Sequence, residues 1–236
     1  MNYEPMNQSY SAEGYAGETL GQYVAKTYLW MFAGLLTTFI IAVLGMTTGL
    51  VYPLMTSSFG IMALGGVELL VVFYMSARIN KISVGTARGL FLLYSALNGV
   101  VFSVYFTVFG AAAMILIFAA TSLFFGLMAA VSYFGHVDVS GIRPLLFGGL
   151  ILLIAFGLLS MFINLQAFET VMCYVGIAVF LGFTAYDTTK IRENYNYYSG
   201  QPEILEKASV FSALALYLDF INLFLYLLRL FNRGSK

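Results

Sequence analysis

Along most of this chain, apolar residues run without interruption instead of alternating with polar ones. A bilayer core about 30 Å thick needs roughly 20 apolar residues per helix, and windows of that length fall at 28–51, 58–77, 89–109, 111–134, 144–165, 170–189 and 209–231. Runs such as Ile151-Leu152-Leu153-Ile154-Ala155-Phe156 are apolar on every face. A membrane β-barrel would alternate apolar and polar positions, so the segments read as helices. The pattern predicts an all-α, polytopic membrane protein: a seven-helix transmembrane bundle over 28–231, flanked by a cytoplasmic tail 1–27 and a short C-terminal tail 232–236. Between spans six and seven, a polar stretch from Ile191 to about Ala208 reads as a loop.

The last span departs from this uniformity. Ser212, Asp219, Asn222, Tyr226, Arg229 and Arg233 follow one another at steps of 7, 3, 4, 3 and 4, which puts them on one helix face. The other faces are Leu, Phe, Ile and Ala. A helix with one polar stripe belongs at the centre of the bundle, its stripe lining a cavity.

Composition supports the membrane reading and narrows the chemistry. Of 236 residues, 61% are hydrophobic, 17% aromatic and only 9% charged, where a soluble domain carries about 25% charged residues. The 11 basic and 11 acidic residues cancel, leaving no basic excess for nucleic acid. One Cys, Cys173, and one His, His136, exclude an internal disulfide and a thiolate or imidazole zinc site. Cys173 reads as a small core residue, and His136 with Asp138 as loop chemistry. Gly45, Gly49, Gly148 and Gly149 read as points of close helix packing. The first 27 residues lack the basic start and apolar core of a signal peptide.

Orientation follows from the basic residues. Lys26, Arg78, Lys81, Arg88, Arg143, Lys190, Arg192 and Lys207 all fall on one side, and the loops after spans one, three and five contain none. That side is expected to be cytoplasmic, N-terminus included, in a bacterial cytoplasmic membrane. Seven full crossings would put Arg229, Arg233 and Lys236 outside, whereas a re-entrant last helix would return them inside. The sequence is compatible with both topologies.

Three acids stand in spans, where an ionisable group costs about 2.5–3.5 kcal/mol on insertion scales and marks a functional position by default. They are Glu68, Asp187 and Asp219. Asp187 and Asp219 lie on consecutive helices, close enough to the joining loop to share a site. Two carboxylates together in a low dielectric cannot both ionise cheaply, so such a pair holds a proton and titrates as a unit. Its oxygens also suit a hard cation such as Ca²⁺. Arg78, at the end of span two, is within reach of Asp187 as a latch. Each has a plainer alternative: Asp187 paired with Lys190 or Arg192, a protonated Glu68 bonded to a neighbouring helix, and Arg78, Lys81 and Arg88 serving topology alone.

The segment Ala215-Leu216-Tyr217-Leu218-Asp219-Phe220-Ile221-Asn222-Leu223-Phe224 resembles the strongest signature of the Bax inhibitor-1 family, the transmembrane Bax inhibitor motif proteins. Ala185-Tyr186-Asp187-Thr188 with Lys190-Ile191 resembles its sixth-helix motif, and Tyr23 to Met31 its approach to the first helix. The short tails are like those of bacterial members. The resemblance implies a pH-sensitive Ca²⁺ leak with Asp187 and Asp219 as paired sensor and ion-binding acids. It also implies Glu68 as a pathway acid and Arg78, with Lys81 as the alternative, as gate. No cofactor is implied; Ca²⁺ and protons are what moves, and the bilayer is the constant partner. Some bacterial members interact with a membrane protease, so a non-transporting regulator that binds another membrane protein is the alternative, ahead of a proton-coupled transporter.

Enzymatic readings fit poorly. Tyr186-Asp187 matches half of an intramembrane aspartyl protease, but Tyr217-Leu218 stands where the second half needs glycines. A Ser–His protease lacks a membrane-embedded His, and a retinal protein lacks a Lys deep in the last helix. The chain is therefore expected not to be an enzyme.

Overall fold

The computed structural model describes residues 18–49, 51–78, 81–135 and 140–234. The His136–Asp138 loop, the tail before Glu18 and Ser235–Lys236 lie outside them. Eight α-helices follow in order: α1 (Leu20–Thr48), α2 (Tyr52–Thr56), α3 (Ser58–Arg78), α4 (Val84–Phe109), α5 (Ala111–Gly135), α6 (Arg143–Leu159), α7 (Gln166–Tyr198) and α8 (Pro202–Gly234). Among the described residues there is no strand. α1, α4, α5, α7 and α8 are long and apolar enough to cross a membrane, while Ala63–Met75 within α3 and α6 are shorter apolar stretches.

Helix ends depart from the apolar windows where local chemistry extends them. α1 starts at Leu20, eight residues ahead of the window that opens at residue 28. Thr19 caps it: its hydroxyl accepts from the Gln22 backbone N–H at 3.3 Å, and its own N–H donates to Gln22 Oε1 at 2.9 Å. This reciprocal pair satisfies two orphan donors of the first turn. The expected loop between spans six and seven contracts to residues 199–201, because α7 runs on to Tyr198 and α8 begins at Pro202, a proline suited to a first helical turn. Each of these two helices is 33 residues long, about 50 Å at 1.5 Å per residue. They outreach the hydrocarbon core and carry polar turns beyond it.

The expected central position of the last helix is found. α8 packs against α1, α4, α5 and α7, with α3 outside α4 and α6 outside α7. Two of the glycines expected at close packing are there: a Cβ on Gly45 would meet Ser103 at 2.8 Å, and one on Gly149 would meet Val179 at 2.6 Å.

Candidate functional site

The polar stripe of α8 faces α7 along its whole length. Asn194 Nδ2 donates to Ser212 Oγ at 3.2 Å. One level further, the Asp187 and Asp219 carboxyls stand next to each other across the seam. Tyr226 then stacks on Phe180, ring centroids 5.9 Å apart, and lies over Gly176, where a Cβ would stand 2.6 Å from the ring. At the far end Arg233 donates to Glu169 and, at 2.9 Å, to the Gln166 carbonyl. Positions climb along α8 as they descend along α7, so the two helices are antiparallel over their full extent.

This narrows the expected cavity. Most of the stripe closes against α7, where the small Gly176 lets the helices approach, and only its Ser212 end lines a pocket. α8 is one unbroken helix, and Arg229 and Arg233 sit at its end opposite the 199–201 connection, beside the start of α7. An Arg there is tolerable because Arg233 is neutralised by Glu169, and the Arg229 guanidinium lies over the Tyr226 ring at 5.4 Å.

Asp219 is 5% exposed, and its Oδ2 is buried with no hydrogen-bond partner. Asp187 is half-buried. Its suggested partners are engaged elsewhere: Lys190 Nζ donates to Glu193 at 2.6 Å, and Arg192 donates to the Tyr133 carbonyl. A pocket of about 180 Å³ lies between α7 and α8, lined by Asp187, Lys190, Asn194, Phe211, Ser212 and Ala215. It reaches from the carboxyl pair toward the 199–201 connection.

The first turns of α1 lie across that seam. Thr27 and Ser209 hydroxyls bond at 3.0 Å, Tyr28 and Thr188 hydroxyls at 3.1 Å, and Tyr195 donates to the Glu18 carbonyl at 2.8 Å. Fully buried Tyr23 stands beside Ser212. Sequence reasoning missed this belt, although Tyr23 and Thr27 fall one turn apart on the buried face of α1. It also missed the interhelical pairs Arg88–Glu206 and Arg233–Glu169.

Glu68 and Arg78 are placed elsewhere. Glu68 is half-buried with Oε1 unpartnered, within electrostatic reach of Tyr94 and Tyr217. Tyr217 bonds Thr38 at 2.7 Å. It is two residues from Asp219, hence about 200° around α8, so Glu68 and the aspartates flank opposite sides of that helix. Arg78 is exposed, its guanidinium 5.9 Å from the Tyr74 ring. Its helix packs against α4, and among the described residues no ion pair joins it to Asp187. The geometry therefore brings Asp187 and Asp219 together and leaves Arg78 apart from them.

The sequence profile of the family described as "Inhibitor of apoptosis-promoting Bax1" matches residues 20–236. The chain is 38% identical to the inner membrane protein YbhL of Escherichia coli K12 over 215 residues, 90% of this chain and 92% of that one. It is 36% identical to a Deinococcus radiodurans protein over 212 residues, 89% and 90% of the two. A Streptococcus pyogenes membrane protein is 32% identical over 169 residues, 72% of each. The matched span holds every helix described above, the α7–α8 carboxyl pair included, and this multi-pass membrane protein belongs to the Bax inhibitor-1 family.

Proposed function

We propose that this protein is a pH-controlled leak for Ca²⁺ across a bacterial inner membrane, with Asp187 and Asp219 forming the proton-holding gate between α7 and α8. The observation that carries the reading is the adjacency of two carboxyl groups inside the bundle, with Asp219 buried and one of its oxygens unpartnered. Two carboxyl groups bond to each other only when a proton lies between them. That proton ties α7 to α8 and leaves little negative charge to attract a cation.

Loss of the proton leaves two negative charges at contact distance in a poor dielectric. They repel, loosening the seam, and at the same time offer hard oxygen ligands. Ca²⁺ takes six to eight oxygens. Among the described residues no third acid or imidazole completes a metal-binding group, so the pair suits an ion that passes with most of its water. Ca²⁺ is thus cargo. The basic ends of the helices, including Arg88, Lys190 and Arg192, are assigned to the cytoplasmic side, and the 180 Å³ pocket to the cytoplasmic approach.

The sign follows: flux rises with pH as the shared proton is lost. The test is Ca²⁺ uptake into sealed proteoliposomes from about pH 6 to about pH 8, wild type beside Asp219→Asn and Asp187→Asn. Each variant keeps a side-chain bond across the seam but removes the shared titration, so its flux should lose the pH slope. A wild-type slope in both variants would overturn the gate. Absence of flux from folded wild-type protein would instead favour a regulator that acts by binding another membrane protein.

A further inference from the structure

α1 and α5 both pack against α8, yet neither packs substantially on the other. Between them lies an apolar groove of about 480 Å³, walled by residues including Tyr28, Gly126, Ala130 and Tyr133 and floored by Phe220 of α8. A second apolar cavity of about 310 Å³ continues inward from it toward α4, with Phe32, Leu35 and Phe220 lining both. The result is a slot between α1 and α5 that runs from the Tyr133 end along α8 as far as Phe224.

Size and charge decide what fits. Three turns of helix with side chains occupy on the order of 1,200 Å³ by their dimensions, more than the groove provides. Its volume suits a molecule in the range of about 300–1,000 Å³, and its lining offers an occupant almost no hydrogen-bond partners. One end differs. The Arg192 guanidinium lies 5.2 Å from the ring of Tyr133 and donates to the Tyr133 carbonyl. Among the described residues no carboxylate pairs with Arg192, and its fork of five N–H donors matches a phosphate.

We infer that the α1–α5 slot holds one acyl chain of an anionic phospholipid, whose phosphate is bound by Arg192 at the Tyr133 end. The occupant then touches Phe220, the residue next to Asp219, and so reaches the central helix directly from the bilayer. Lipid in simple contact with the outer surface would be exchangeable and indifferent to headgroup; this one is retained and selected by charge.

Native mass spectrometry of the full chain released from nanodiscs of equal phosphatidylglycerol and phosphatidylethanolamine tests it. The wild type should retain one phosphatidylglycerol per chain. Arg192→Gln should lose the preference for phosphatidylglycerol. Gly126→Leu puts a side chain into the groove, at a position where nothing lies within 4 Å of a Cβ; retained lipid should fall about tenfold, a loss of one decade in affinity. Should that variant fail to fold, Ala130→Leu on the same wall replaces it. Retention without headgroup preference in the wild type, or undiminished retention in a folded groove-filled variant, would overturn the site. Both readouts are independent of Ca²⁺ flux.

Discussion

In α8, 61% of the most apolar 18-residue stretch is buried, against 28% in α5, although α5 is the more apolar of the two. The difference inverts what water-soluble proteins teach. Lipid is as apolar as Leu, so burial of a greasy face contributes little to association; small residues that permit close contact and polar groups that bond across helices organise the bundle. α8 has these, with Asp219, Ser212 and Tyr217 buried. α5 presents Leu123, Leu127 and Val131 outward, each more than half exposed. The same contrast separates the two sides of α8: a close, polar seam with α7 and an apolar slot between α1 and α5.

Substitutions on either side sharpen that contrast. The largest effect is expected for Gly176→Leu, whose Cβ would stand 2.6 Å from Tyr226. Overpacking of this kind costs about 3 kcal/mol, and the thermal midpoint in detergent should fall accordingly. The same change at Gly126, where the space is open, should move stability by no more than about 0.5 kcal/mol. Equal losses would erase the distinction between seam and slot. Tyr217→Phe removes the bond to Thr38 but leaves Thr38 bonded to the Ser95 and Gly34 carbonyls. It should cost about 1 kcal/mol, and a neutral result would show that this side of α8 does not depend on its hydroxyls. Arg233→Ala should cost less than about 1 kcal/mol, because Arg233 and Glu169 are about a third and nearly half exposed. Added salt should shrink the difference from wild type; a salt-independent loss would assign Arg233 a packing role instead.

The apolar windows located the long helices because they measure the property the bilayer selects. They misjudged helix ends, since nothing apolar marks where a helix continues into water. The start of α1 depends on Thr19 and Gln22, and its first turns are held by contacts such as Thr27–Ser209, 182 positions apart in the chain. Asp187 and Asp219 were legible because a lone acid in an apolar run is conspicuous, and their steps along consecutive helices allowed a meeting. Glu68 was equally conspicuous, but a single helix period cannot say which side of α8 it approaches. The reach from Arg78 to Asp187 depended on which helices are neighbours, which no local pattern encodes: α3 follows α4, and its end turns the guanidinium onto Tyr74.

The two ends of α8 are fastened to the same helix. Residues 199–201 join it to α7 at one end, and Arg233 clasps Glu169 and Gln166 at the other. A rod pinned at both ends to its neighbour cannot swing like a door. It can roll. A roll of about 30° carries a side-chain oxygen some 5–6 Å from the axis through about 3 Å, enough to part the adjacent Asp187 and Asp219 carboxyls while both fastenings hold. Pairs of labels across α7 and α8 near either fastened end would then report little change in separation with pH, and pairs across the two helices at mid-length would report most of it.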